Sequence, residues 1–315
     1  EEGIIMINHY RHKVVLVGDG AVGSTFAFSL LQSNREVDEL VIVTRQHDKA
    51  VGDALDLADI TPLTGPTDVF AGNYEDAHDA DVVVITAGVP RKPGESRLDL
   101  IHKNVEILKK IIKPIVASGF NGVFVISSNP VDLLTTLAQQ ISGFPKDRVI
   151  GTGTSLDTMR LRLILSQRLN ISVNAVDAQV LGEHGDSSFV TFDEAMIHGQ
   201  PLDKIIQLTP EEKDEIEEQV RRAGAKIIRH KGATFYGVAK CLSSIVCAII
   251  ENQNTVIPVS APLTGQYGIN DLYLGSPAII NRQGIGQVIE YQLSPTELAK
   301  MHASAEQLST VLKEI

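Results

Sequence analysis

One of the nine histidines in this 315-residue chain is flanked by glycines and carboxylates, in the run Gly182-Glu-His184-Gly-Asp186. Imidazole is the side chain that takes up and releases a proton near neutral pH. Hydride transfer to or from a carbonyl needs such a proton, which makes His184 a candidate donor and acceptor. A loop histidine with solvated acidic neighbours gives the same local sequence. Asp157-Thr-Met-Arg160 opens a helical pattern. Its aspartate could orient a histidine and stabilise the protonated ring, and Arg160 could grip a carboxylate bidentately. Spacing alone favours the plainer reading, an i,i+3 surface pair worth ~0.2–0.5 kcal/mol. Arg97 ends the run Pro90-Arg-Lys-Pro-Gly-Glu-Ser-Arg97. Two prolines, a glycine and several charges make either a solvated turn or a lid that carries a guanidinium over a reacting carbonyl and expels water. Its place directly beyond a strand favours the lid.

A second constellation supplies a place for the hydride carrier. The apolar run Val14–Val17 ends in Gly18-x-Gly20-x-x-Gly23, and an Ala/Phe/Leu-rich helical pattern follows. Between a strand and a helix these glycines have distinct tasks: Gly18 permits the tight turn, Gly20 lets backbone approach a pyrophosphate, and Gly23 lets helix and strand pack closely. The helix N-terminus offers unpaired N–H groups to the anion. A dinucleotide site at this position makes redox chemistry the first reading. Asn129, before Pro130, is ordinary turn chemistry, yet at a strand end its amide could also contact a nicotinamide or a substrate oxygen.

The elements that must position these groups alternate in the first half. Strand-like runs at Lys13–Gly18, Leu40–Thr44, Ala80–Ala87, Gly122–Ser127 and Arg148–Gly153 enclose helical patterns, notably Leu98–Ala117 and Val131–Ile141. Near-continuous Val/Ile strands between helices imply a parallel sheet covered on both faces, with ligands beyond the strands' carboxyl ends. After about Thr152 the pattern changes. A helix starts at Leu156, strands are expected at Ala175–Leu181 and Phe189–Phe192, and Thr209 with Pro210, Glu211 and Glu212 starts a long charged helix. An apolar helix over Ala233–Asn252 follows, then antiparallel strands around Val256–Val259, Leu272–Leu274 and Gly286–Ile289, and a capping box at Ser294-Pro-Thr-Glu297. Two lobes sharing one interface is the simplest arrangement.

Composition narrows the function. A net charge of −11 argues against a nucleic-acid surface, so an anionic ligand must meet a few local cations. The only cysteines, Cys241 and Cys247, fall on different faces of one helical pattern and read as buried thiols. No apolar run reaches the ~18 residues of a membrane span, and Glu1 and Glu2 stand where a signal peptide carries cations. The chain reads as cytoplasmic.

Together these motifs resemble the L-lactate/L-malate dehydrogenase family, and within it the bacterial, Lactobacillus-type L-lactate dehydrogenases. The resemblance runs from about Lys13 to the C-terminus. It rests on the glycine motif, Lys92-Pro-Gly-Glu-Ser-Arg97-Leu-Asp-Leu100, Ser128-Asn-Pro-Val-Asp132, Gly151-Thr-Gly-Thr-Ser-Leu-Asp157, Leu181-Gly-Glu-His-Gly-Asp186 and Lys231-Gly-Ala-Thr-Phe-Tyr-Gly237. It implies an α/β fold, a Rossmann-type doubly wound parallel sheet followed by an α+β catalytic domain, with NAD bound by residues 1–152 and substrate by 153–315. His184 would be the proton donor and acceptor, Asp157 its orienting carboxylate, and Arg97 the group that polarises the carbonyl. Arg160 would anchor the substrate carboxylate, with Arg91, Asn129 and Thr234 lining the substrate pocket. Gly18, Gly20, Val22, Gly23, Thr44, Arg45, Gly88 and Asn129 would lie along the cofactor. The small 2-oxo or 2-hydroxy acid would be the partner, together with further copies of the chain in a homotetramer or dimer.

Three positions depart from the lactate branch. Arg91 stands where lactate enzymes usually carry Gln and malate dehydrogenases carry Arg. An Arg there could pair with the second carboxylate of oxaloacetate, a contact worth roughly 1.5–3 kcal/mol. The remaining motifs favour pyruvate, with malate dehydrogenase as the alternative and a non-enzymatic nucleotide-binding protein disfavoured by the full catalytic set. Thr44-Arg45 replaces the acidic residue that usually accepts the ribose hydroxyls, which opens the site to NADP beside NAD. Asp177 stands where many bacterial members carry a histidine that, with an Arg matched here by Arg162, binds fructose 1,6-bisphosphate. A carboxylate there repels phosphate, and little or no activation is expected.

Overall fold

The computed structural model describes residues 11–33, 36–89 and 97–315; Arg91 and the side chain of Arg97 lie outside them. In the first half, β1 (His12–Val17) leads through α1 (Ala21–Ser33) to β2 (Val37–Val43). Next come α2 (His47–Ala58), α3 (Thr61–Thr64), β3 (Asp68–Ala71) and β4 (Val82–Ile85). Then α4 (Arg97–Ala117), β5 (Val123–Ile126), α5 (Val131–Ser142) and β6 (Val149–Gly151) complete the half. These six strands pair in the order β3-β2-β1-β4-β5-β6, all parallel. Strand order therefore reverses at β1, the switch point beyond which a doubly wound sheet binds its ligand.

Alternation along β1 explains why the sheet is covered on both sides. Val15 and Val17 belong to one apolar core with Ile112 and Ile115 of α4 and Leu134 of α5. Val14 and Leu16 belong to the other, with Phe26 and Leu30 of α1. Edge strand β3 has no counterpart in the sequence reading. Its four residues alternate between exposed and intermediate positions, so it never shows the continuous apolar run of a central strand.

The second half begins with α6 (Ser155–Leu169). The strand expected at Ala175–Leu181 is two short ones, β7 (Val176–Asp177) and β8 (Val180–Leu181), which join different sheets. β8 pairs with β9 (Phe189–Val190), and β7 with β10 (Met196–Ile197), which also pairs β11 (Gln200–Pro201). A short α7 (Leu202–Ile205) leads to α8 (Pro210–Lys231), capped reciprocally by Thr209 and Glu212. Helix α9 (Tyr236–Ile250) starts three residues later than its apolar pattern, which leaves Thr234 in the α8–α9 loop. Both cysteines are free thiols, Cys247 buried and Cys241 only half-buried.

Strands β12 (Thr255–Thr264), β13 (Asn270–Asn281) and β14 (Gly284–Val288) are antiparallel, as their pattern indicates, and longer than it indicates. Pro258, Pro262 and Pro277 interrupt the apolar signal without breaking the strands. The three strands extend the first sheet: β12 pairs with β6 at Ser260 and Gly151, giving nine strands in one sheet. Leu242, Ile245 and Val246 of α9 join the same core as Leu30 and Leu31 of α1. The halves are thus fused through sheet and core. The last helix, α10 (Pro295–Lys313), carries the expected capping box.

The turn into α1 depends on closeness that only glycine allows. A Cβ at Gly23 would stand 1.9 Å from the Gly18 carbonyl oxygen, that is, inside it. Gly23→Ala is expected to cost about 1–3 kcal/mol in urea unfolding. An alanine variant as stable as the parent would contradict this close approach.

Candidate active site

Two cavities open at the carboxyl ends of the parallel strands. The first, about 340 Å3, runs from Gly18 and Gly20 past Thr44 and Arg45 to Gly88 and Ile111. Gly18 adopts φ +105°, its N–H donates to Val43 O at 2.9 Å, and its carbonyl accepts from Thr86 Oγ1 at 2.8 Å. A Cβ at Gly20 would meet nothing within 4 Å. Backbone is therefore open to a ligand there, directly ahead of α1, whose first N–H groups have no intrahelical acceptors. Exposed Arg45 and α4's Lys110 supply positive charge, and Ile107 with Ile111 an apolar wall. This cradle fits a dinucleotide: open backbone amides for phosphate, an apolar slot for a base.

A lysine with no distinguishing local pattern holds the glycine loop. Lys49 of α2 donates to Asp19 O at 2.8 Å, to Asp19 Oδ2 at 2.9 Å and to Asp53 Oδ2 at 2.6 Å. Lys49 and Asp53 are an i,i+4 pair on α2, an ordinary surface pattern; nothing in the sequence shows the 30-residue link to Asp19.

The second cavity, about 320 Å3, is lined by Val22, Asn129, Asp157, Arg160, His184 and Thr234. They come from several distant parts of the fold. Asn129 follows β5 and precedes a cis peptide bond to Pro130. Asp157 and Arg160 lie in the first turns of α6, His184 follows β8, and Thr234 follows α8. Arg221 and Ile228 of α8 complete one wall. Gly23 lines neither cavity; its contribution is the packing already described.

Asp157 is the hub of the second cavity. Its Oδ2 meets His184 Nδ1 at 2.5 Å, and its Oδ1 accepts from Arg160 Nη1 at 3.1 Å. The pair that spacing alone assigns to a surface is 4 % exposed at Asp157. Burial pushes the Asp157 carboxyl up, but the charge and hydrogen bond of His184, then those of Arg160, outweigh it and hold the carboxyl below its ordinary value. Burial likewise opposes the His184 cation; Asp157's charge and hydrogen bond outweigh that, Asp132 adds to them, Arg160 subtracts, and the imidazole is raised above its ordinary value. The geometry thus favours a protonated ring near neutral pH, the state a proton donor requires.

The histidine loop is anchored on several sides. Gly182 (φ +89°) exchanges two backbone hydrogen bonds with Gly275 of β13, at 3.0 and 2.9 Å. Ser304 of α10 accepts the Glu183 N–H at 2.6 Å, and Arg221 donates to Ser188 O at 3.1 Å. On the other side Asn104, buried in α4, accepts from Val89 N–H at 2.9 Å and donates to Asn129 O at 3.0 Å. Nothing local marks Asn104 or Arg221, since each sits in a helix with unremarkable neighbours. At the surface, Arg162 donates to Asp177 Oδ1 at 3.1 Å and to Ala178 O at 3.1 Å.

Residues 12–151 match the family model of the lactate/malate dehydrogenase NAD-binding domain, and residues 154–315 that of the lactate/malate dehydrogenase α/β C-terminal domain. The chain is 60 % identical over 302 residues to L-lactate dehydrogenase 2 of Lactiplantibacillus plantarum, covering 96 % of this chain and 97 % of that protein. It is 51 % identical over 310 residues to L-lactate dehydrogenase of Pediococcus pentosaceus, covering 98 % and 96 %. A crystal structure of the minor L-lactate dehydrogenase from Enterococcus mundtii in its ligands-bound form superposes with a TM-score of 0.94 at 39 % identity, covering 97 % of this chain and 98 % of the other. From the glycine turn to the last helix, in sequence as in fold, the chain belongs to the lactate/malate dehydrogenase family.

Proposed function

We propose that this protein is an L-lactate dehydrogenase, carrying out reversible hydride transfer between NAD(H) and pyruvate. The observation that carries the chemistry is the shared Asp157 carboxylate, bonded to His184 and Arg160 within one cavity. With Nδ1 committed to Asp157, Nε2 is the ring nitrogen that passes a proton to the substrate oxygen. Asp157 fixes the ring's orientation and stabilises the imidazolium. Arg160 has further N–H groups for the substrate carboxylate. Thr234 and Asn129 bound the remaining space, and Arg97 is assigned the polarisation of the carbonyl. When bound, the nicotinamide supplies the hydride. Gly18, Gly20, Thr44, Arg45 and Gly88 line its dinucleotide site, Val22 and Asn129 border it from the second cavity, and Gly23 packs the turn beneath, within a cofactor unit of residues 1–152 and a catalytic unit of 153–315.

The choice of pyruvate over oxaloacetate is supported by relatives named L-lactate dehydrogenase at 48–60 % identity. Self-association, as a homotetramer or dimer, is supported by apolar side chains left in solvent on adjacent helices: Met159 and Leu163 of α6 and Ile227 of α8. Two free thiols suit the cytoplasm, and no described helix is long and apolar enough to cross a membrane. Arg162 is already neutralised by Asp177, which leaves little attraction for a bisphosphate.

Steady-state kinetics test the substrate assignment. Pyruvate is expected to exceed oxaloacetate in kcat/KM by more than about 10-fold, the scale of one charge-assisted contact, with no large fall in pyruvate KM on adding fructose 1,6-bisphosphate. An oxaloacetate preference that Arg91→Gln reverses would overturn it. For the cofactor, Thr44 and Arg45 leave room for a 2′-phosphate without repulsion, so measurable NADPH oxidation is expected. An NADPH kcat/KM thousands of times below that for NADH would refute dual use.

A further inference from the structure

Asp132, in the first turn of α5, is 1 % exposed and lines neither cavity. Its Oδ2 accepts the His184 backbone N–H at 2.7 Å, and its Oδ1 accepts the Ser260 hydroxyl at 2.6 Å. Ser260 is fully buried in β12, opposite Gly151 of β6, where the second half joins the sheet. One carboxylate therefore ties together the helix after Asn129, the catalytic loop and the strand that fuses the halves.

Burying a carboxylate without a cation is costly, and among the described residues no lysine or arginine pairs with Asp132. Burial pushes its carboxyl up to about 6, against the pull of Ser260, the His184 N–H and the His184 charge, with Glu183 adding a little. A neutral side chain at 132 would avoid that cost, so the charge itself calls for a use.

We propose that Asp132 is a positioning residue for the proton-transfer step: it sets the His184 backbone on the sheet and is the second carboxylate, after Asp157, that favours the imidazolium. The charged groups around His184 come from four directions. Asp157 and Arg160 lie on α6, Asp132 on α5, Glu183 and Asp186 on the histidine's own loop, and Arg221 on the α8 wall of the same cavity. Asp157 touches the ring. Asp132 acts through the backbone and through its charge.

The inference rests on His184 as proton donor, and the pH profile of pyruvate reduction by the full chain separates the two claims. In the parent, kcat/KM must fall at alkaline pH as His184 loses its proton. No such limb, or near-parental activity in His184→Gln, would overturn the donor assignment itself. In Asp132→Asn the limb is expected to move to lower pH by about 0.5–1 unit, with the fluorescence-measured Kd for NADH within about twofold of the parent. Ser260→Ala, which removes one hydrogen bond to the charged carboxylate, is expected to move the limb the same way by less. A limb unmoved in folded Asp132→Asn overturns the proposal, as does a shift accompanied by lost NADH binding. Should Asp132→Asn fail to fold, an unmoved limb in Ser260→Ala has the same force.

Discussion

The contact on which the site depends is the 2.5 Å bond between Asp157 and His184. It joins the first turn of α6 to a loop after β8, 27 residues later. Without it His184 would be a partly buried imidazole whose surroundings favour the neutral ring. With it, the negative charge offsets burial, the ring is held in one orientation, and a proton is available near neutral pH. Arg160 shares the same carboxylate, so the group that prepares the acid also fixes the cation suited to the substrate's charge. In a chain of net charge −11, Arg160 and Arg221 on the cavity wall are the local cations suited to an anionic ligand.

Such a bond needs a frame that does not drift. The nine-stranded sheet supplies it, because β12 continues the parallel sheet where β6 ends. Asp132 and Ser260 meet at that junction, Gly182 and Gly275 clamp the histidine loop to β13, and Ser304 reaches the same loop from the last helix. The glycine turn is built on the same logic: Gly18, Gly23 and Thr86 leave no room for side chains, while Gly20 faces open space. Rigid packing beneath and exposed backbone above suit a large cofactor.

Much of this was legible in the sequence because period and burial agree there. Central strands such as β1 and β4 are buried on both faces and read as unbroken runs of Val, Ile and Leu, and the capping boxes of α8 and α10 are local signals. Edge strand β3 was not legible, since half its residues face solvent and only four are paired. The split of residues 175–181 into β7 and β8 depends on which distant partners each finds, and no local pattern encodes that. The site shows the same division. His184 stands out by its glycine and carboxylate neighbours, and the family resemblance gives Asp157 and Arg160 their expected roles. Asp132, Asn104, Lys49 and Arg221 act through contacts 15 to 128 residues away in the chain, each within a locally ordinary helix.

The most direct test of the account is the titration of the His184 ring, followed by 15N NMR in the parent and in Asp157→Asn. The parent imidazole should titrate above the ordinary value of about 6.5, and the variant at least about one unit lower than the parent. A His184 that titrates at the same pH with and without the Asp157 charge would contradict the claim that this one bond makes the proton donor.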